Sequence, residues 1–184
     1  ASYLITTPEG HILINSGFEE TVPIIRAGVE SLGFKMKDIK ILLASHAHSD
    51  HVAGHALLKQ ETGAKVYVMR GDDRVIASGG EGQYLYTRSR WTPCPVDRVL
   101  DDGDKVPLGG VPLTAVRTPG HTRGCTTWTW PVTENGKTHH VVVIGSPNVN
   151  PGYQLVDNGS YPEIADDFAR TFEVLKGLPC DVFL

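Results

Sequence analysis

The chain has 184 residues, 40% of them hydrophobic and 21% charged, with a formal net charge of −4. That length and balance suit one globular domain spanning residues 1–184. The mild acidity comes with no basic run, which argues against a nucleic-acid partner. No stretch of about eighteen apolar residues could cross a membrane.

In chain order, Tyr3 to Asn15 reads as a β-hairpin turning at Pro8-Glu9-Gly10. Val22, Ile25, Val29 and Leu32 recur at helical spacing, predicting an amphipathic helix over roughly 18–32 closed by Gly33. Ile39 to Ala44 is apolar and β-branched, a buried strand. Val52 to Thr62 has helical spacing and stops at Gly63. A strand at Lys65–Met69 precedes a short helix near Asp72-Asp73. Residues 79–95 carry glycines, prolines, Tyr84, Tyr86 and Trp91 without periodicity; a long aromatic loop of this kind more often covers a site than joins domains.

The second half reads mostly as strands: Arg98 to Leu100, Lys105 to Leu108 and Val111 to Thr118, then a hairpin of Cys125–Pro131 with Lys137–Gly145 around Glu134-Asn135-Gly136. Ser160-Tyr161-Pro162-Glu163 has the spacing of a capping box and predicts a helix carrying Ile164, Phe168, Phe172, Leu175 and Leu178. Asp181 to Leu184 reads as the start of a buried strand. The chain opens at Ala1 already inside a strand and shows no signal-peptide pattern, so both ends read as cut within the fold. Two β-rich halves, about 1–115 and an incomplete 116–184, each with outer helices, predict an α/β fold: a four-layer αββα sandwich truncated at both ends.

The densest chemistry lies at His46-Ala47-His48-Ser49-Asp50-His51, three imidazoles and a carboxylate on a strand-to-helix turn. Imidazole nitrogen and carboxylate oxygen are the usual non-sulfur ligands of zinc, and crowding these groups without a cation would cost desolvation with nothing to compensate it. His46 and His48, two apart on extended backbone, point the same way, whereas Asp50 and His51 fall at the helix opening and face a neighbouring point. Two adjacent metal positions follow. One turn supplies too few ligands for both, and the best distant candidate is His121, presented by Thr118-Pro119-Gly120 on a sharp loop at a strand end. His11, His55, His139 and His140 stand alone and read as surface or satisfied core residues. The three cysteines, Cys94, Cys125 and Cys180, lie in no CxxC spacing, so a thiolate zinc knuckle is unsupported.

His46-x-His48-x-Asp50-His51 followed by Thr-Pro-Gly-His121 resembles the metallo-β-lactamase superfamily over essentially the whole chain. The resemblance implies that His46, His48 and His121 hold one zinc, and that Asp50 and His51 hold a second together with a later histidine lying beyond Leu184. Many superfamily members place a bridging aspartate after the strand here written Val141 to Gly145; Ser146 stands there instead. With the segments 145–153, 161–168 and 178–184, this is most similar to the third subclass (B3) of metallo-β-lactamases. The implied activity is zinc-dependent opening of the β-lactam amide by metal-activated water. By that resemblance Asp50 would orient the nucleophile, Ser146 and Asn148 would hold the substrate carboxylate, and the aromatic loop (Tyr84, Tyr86, Trp91) would press on its side groups. The implied partner is a small-molecule β-lactam and the implied location periplasmic or secreted. Cys180 resembles a cysteine that pairs with a C-terminal partner in some relatives. A lactonase or thioesterase of the same superfamily, or a metal-binding but inactive fragment or pseudoenzyme, are the alternatives. Asn15-Ser16-Gly17 replaces the more usual Asp-Thr-Gly.

Overall fold

A computed structural model describes all of residues 1–184. Five strands form the first sheet in the order β1-β2-β3-β4-β5: Tyr3–Thr7, Gly10–Ile14, Ile39–Leu43, Lys65–Met69 and Arg98–Leu100. The hairpin β1–β2 is antiparallel and the remaining pairs are parallel, joined by α1 (Val22–Ser31), by α2 and α3 (Ser49–Val52 and His55–Thr62), and by α4 (Asp73–Ser78) with the 79–95 loop. The second sheet runs β10-β9-β8-β7-β6: Val182–Phe183, Lys137–Val143, Thr126–Glu134, Val111–Arg117 and Lys105–Leu108. The changeover between sheets falls between Leu100 and Lys105. Helix α5 (Ile164–Gly177) packs through Phe168 and Thr171 on the loop that joins β7 to β8.

Three apolar layers separate four layers of structure. Ile12, Ile14, Ile41, Leu43 and Met69 meet Leu113, Ala115, Trp128, Trp130 and Val143 between the sheets. The intervening residues Leu13, Leu42, Val66 and Val68 face the helices through Val22, Val29, Leu58 and Ile76. Strands buried on both faces read as continuous apolar runs, which is why Ile41 to Leu43 shows no alternation after the exposed Lys40. Tyr161, Ile164 and Phe168 form a third, smaller cluster with Tyr84 and Tyr153. Trp128 is fully buried between the sheets, and its indole N–H donates to the Ala44 carbonyl at 3.2 Å. Thr126 N–H donates to Ser45 O at 2.7 Å, so the second sheet is tied to the turn that follows β3.

Three expectations need correction. The helix predicted over Val52–Thr62 is two pieces, because the chain bends at Gly54, where a Cβ would fall 2.9 Å from Ser16 O and 2.7 Å from Val22 Cγ2. The capping box does not form: α5 begins at Ile164 without a side-chain cap, and Ser160 instead gives its N–H to Asn158 Oδ1 and its carbonyl to Arg123. The last strand forms as expected and pairs parallel with β9, with Val182 and Phe183 exposed. Trp91 packs into the helix-side core and Tyr84 into the Tyr161 cluster, leaving only Tyr86 of the aromatic loop at the candidate site.

Candidate metal centre

The sequence-predicted residues converge at the carboxyl ends of the parallel strands. The 44–51 turn leaves β3, and the 118–125 loop joining β7 to β8 arrives from the other sheet. The rings of His46, His48 and His121 form a near-equilateral triangle, with centroids 4.5 to 4.8 Å apart. Their ligand nitrogens lie within 4.8 Å of one another, and so do the ligand atoms of His46, Asp50 and His51. All three triangle histidines are buried; Asp50 is exposed, and its Oδ2 lies 3.4 Å from His51 Nε2. His55 stays out of both groups: it is fully buried, with Nδ1 2.7 Å from Ser16 Oγ.

Burial sets the protonation states. Desolvation drives His46 well below the usual 6.5, with repulsion from His51, His121 and His48 adding to it. The same effect takes His48 to about 3, again with His121 and His51 assisting. His121 is lowered by burial, partly opposed by the Asn148 carbonyl and by Asp50, and His51 by burial against the pull of Asp50. Every imidazole is therefore neutral near pH 7, with a lone pair to offer.

Hydrogen bonds decide which nitrogen offers it. His121 Nδ1–H donates to the Asn148 carbonyl at 2.8 Å, leaving Nε2 free. Asn15, in the left-handed region at φ 64, accepts on Oδ1 from Ser45 N at 2.8 Å and Ser45 Oγ at 3.0 Å. With its proton committed, Ser45 Oγ accepts from His51 Nδ1 at 3.0 Å, leaving His51 Nε2 free beside Asp50. Neutral imidazoles at this spacing, with the tautomers of His121 and His51 fixed by a carbonyl and a hydroxyl, suit a borderline-soft divalent cation.

Two residues missed in the sequence bear directly on His121. Tyr153 stacks on its ring at 5.6 Å and donates its hydroxyl to the His121 carbonyl at 2.6 Å. Asp72, just before α4, accepts from Ala47 N, Thr122 Oγ1 and Gly124 N. Neither carried a readable signal, because a lone tyrosine and an acid beside Asp73 are ordinary loop residues. Gly120, at φ 119, lies against the Phe168 ring just before His121: a Cβ there would meet the ring at 2.7 Å. Thr171 on α5 holds the same loop by donating to the Pro119 carbonyl at 2.6 Å.

The histidines open onto a cleft of about 560 Å³ bounded by Phe18, Asp50, Tyr86, Ser89, Ser146, Asn148 and Asn150. Tyr86 stands edge-on to His48 at 4.9 Å, and its hydroxyl accepts from Asn150 Nδ2 at 3.2 Å. Ser146 and Asn148 line the wall beyond the histidines, although Asn148 touches His121 through its backbone carbonyl, not its side chain.

A sequence model of the metallo-β-lactamase superfamily matches residues 1–134. The chain belongs to this superfamily. Native FEZ-1 metallo-β-lactamase from Legionella gormanii superposes with a TM-score of 0.97 at 54% identity, covering all of this chain and 71% of that one. BJP-1, a subclass B3 metallo-β-lactamase of Bradyrhizobium japonicum, does so with a TM-score of 0.93 at 36% identity, covering all of this chain and 70% of that one. A hydroxyacylglutathione hydrolase of Rhodopseudomonas palustris is 31% identical over 120 residues, 65% of this chain and 39% of that protein. The chain thus spans under two fifths to about two fifths of the length of the curated relatives it matches first, 37% and 39%. Superfamily membership brings metal dependence, and the His46, His48 and His121 cluster is where the chain concentrates ligands.

Proposed function

We propose that the protein is a zinc hydrolase that opens the amide of β-lactam antibiotics. The observation that carries this reading is the neutral His46–His48–His121 triangle at the floor of a cleft whose far wall is Ser146 and Asn148. The likeness over the whole chain to solved metallo-β-lactamases supports it. His46, His48 and His121 would hold one ion; Asp50 and His51 would contribute to a second. Zinc would supply Lewis acidity, ionising water near neutral pH and polarising the scissile carbonyl.

The chain's own groups do the rest. Asp50, exposed at the cleft and beside His51, accepts a hydrogen bond from the attacking water and orients it. The Ser146 hydroxyl donates to the substrate carboxylate, with the Asn148 amide as a second donor. Tyr86 offers an apolar edge to the substituents of the bicyclic substrate. Thioester hydrolysis is the second reading, favoured by the hydroxyacylglutathione hydrolases among the relatives. Ser146, where many superfamily members carry a carboxylate, weighs against it.

Purified full-length, zinc-loaded protein assayed against a chromogenic cephalosporin, a carbapenem, an acyl-homoserine lactone and a glutathione thioester separates these readings. Turnover of the β-lactams well above the other two is expected; preferred hydrolysis of the thioester refutes the proposal. His121→Ala abolishes zinc binding at the three-histidine site and β-lactam turnover together. Full activity in that variant ends the ligand assignment.

A further inference from the structure

We propose that Asp72 is a positioning residue for the metal centre, its one buried carboxylate fixing the separation between the turn bearing His46 and His48 and the loop bearing His121. This rests on the reading that those three histidines hold the ion.

Asp72 is 2% exposed and follows β4, so it belongs to neither ligand-bearing segment. Its Oδ2 accepts from Ala47 N at 2.8 Å and from Thr122 Oγ1 at 2.6 Å; its Oδ1 accepts from Gly124 N at 2.8 Å. Ala47 lies between His46 and His48, and Thr122 follows His121. One rigid, planar group therefore holds the backbone beside all three candidate ligands. Asp72 belongs to neither metal-ligating group itself.

The contact is built close. A Cβ on Gly124 would fall 2.6 Å from Asp72 N and 2.7 Å from its Cβ, and one on Gly71 would meet the Arg123 carbonyl carbon at 2.9 Å. A cavity of about 30 Å³ lies behind the histidines, bounded in part by Ala47, His48, Asp72, His121, Thr122 and Tyr161, so side-chain packing between the two loops is incomplete there. The hydrogen bonds to Asp72 therefore join the Thr126 N–H to Ser45 O tie in setting the spacing between loops. No cation pairs with Asp72; all three of its partners are neutral donors. Burying a carboxylate this way is costly unless the donors are well aimed. In an amide, one of the two positions becomes a donor facing a donor, so Asn cannot hold all three partners.

The test uses the full-length protein, with zinc affinity measured by competition against a chromogenic chelator and with the visible spectrum of the cobalt(II)-substituted form. In Asp72→Asn, zinc affinity falls about ten- to a hundredfold, as for outer partners of metal ligands generally, and the cobalt bands shift or weaken. Unchanged affinity and an unchanged cobalt spectrum overturn the proposal, even if the metal-stripped variant melts lower, because Asp72 would then only brace the fold. Should that variant fail to fold, Thr122→Val removes one donor at nearly constant shape; a several-fold loss of zinc affinity supports the proposal and no loss overturns it. Wild-type protein that binds no zinc, or binds it equally after His121→Ala, defeats the site reading itself. Tight wild-type binding, lost in His121→Ala but intact in the Asp72 and Thr122 variants, defeats this inference alone.

Discussion

Acid should unfold the metal-stripped protein unusually early. His46, His48 and His55 each accept a proton near pH 6.5 in the unfolded chain, but burial keeps them neutral in the folded one, His48 down to about 3 and His55 down to about 4. A group with a depressed folded pKa contributes stability that is present above its unfolded value and lost as pH falls, here from 6.5 toward 3 to 4. Between about pH 7 and pH 5 the loss is about 2 kcal/mol each for His48 and His55, about 4 kcal/mol together, and His46 adds to it in the same direction. That is comparable to the whole stability of many domains, and it should lower the melting temperature by on the order of 15 °C. Carboxylates held low by ion pairs, Glu61 by Arg26 and Asp101 by Arg70, titrate below this window and do not mask it. Scanning calorimetry of metal-stripped full-length protein at the two pH values is the assay. Zinc competes with protons for the nitrogens of His46 and His48, so the loaded protein should keep their share of the loss at bay. His55→Asn removes the share that persists. Identical melting at both pH values would refute the assignment of these histidines as buried and neutral.

Two substitutions probe the scaffold and the cleft. Trp128→Ala empties a fully buried site between the sheets and orphans the Ala44 carbonyl, so urea unfolding should show a loss of about 3–5 kcal/mol. A loss under about 1 kcal/mol would mean that the inter-sheet core is not built around this ring. Tyr86→Ala removes the edge that faces His48 and the tie to Asn150. Steady-state kinetics on a cephalosporin should show KM raised about three- to tenfold with kcat little changed, the pattern of lost uniform binding. A fall in kcat alone would place the ring in the chemistry instead.

The histidine-rich turn was legible because groups that meet at one point come most cheaply from residues two to five apart on one bend. That His121 joins His46 and His48 was legible for a different reason, since the first cluster called for a distant ligand and Pro119 and Gly120 present a histidine on a sharp loop at a strand end. The layered fold followed from Ile12 to Ile14 and Ile41 to Ala44, whose unbroken apolar runs demand cover on both faces. What stayed hidden was everything that depends on an oriented partner. Asp72 and Asp73 are indistinguishable as letters; only the arrival of Ala47, Thr122 and Gly124 separates a brace from a surface acid. Ser160 and Glu163 have capping-box spacing, but Asn158 takes the Ser160 N–H first. The break at Gly54 answers to Ser16 and Val22, residues of another segment altogether.

The loop from 79 to 95 is moored at both ends, by Tyr84 against Tyr161 and by Trp91 among the helix-side apolar residues, with Tyr86 and Ser89 between them over the cleft. Tyr86 and Ser89 look onto the cleft, while Gln83 and Arg90 bind the loop to itself through the Gly80 and Ser89 carbonyls. On the proposed reading, exchanging Tyr86 and Thr87 should retune which molecules the cleft admits, because the side chains that face outward are not the ones that hold the segment in place.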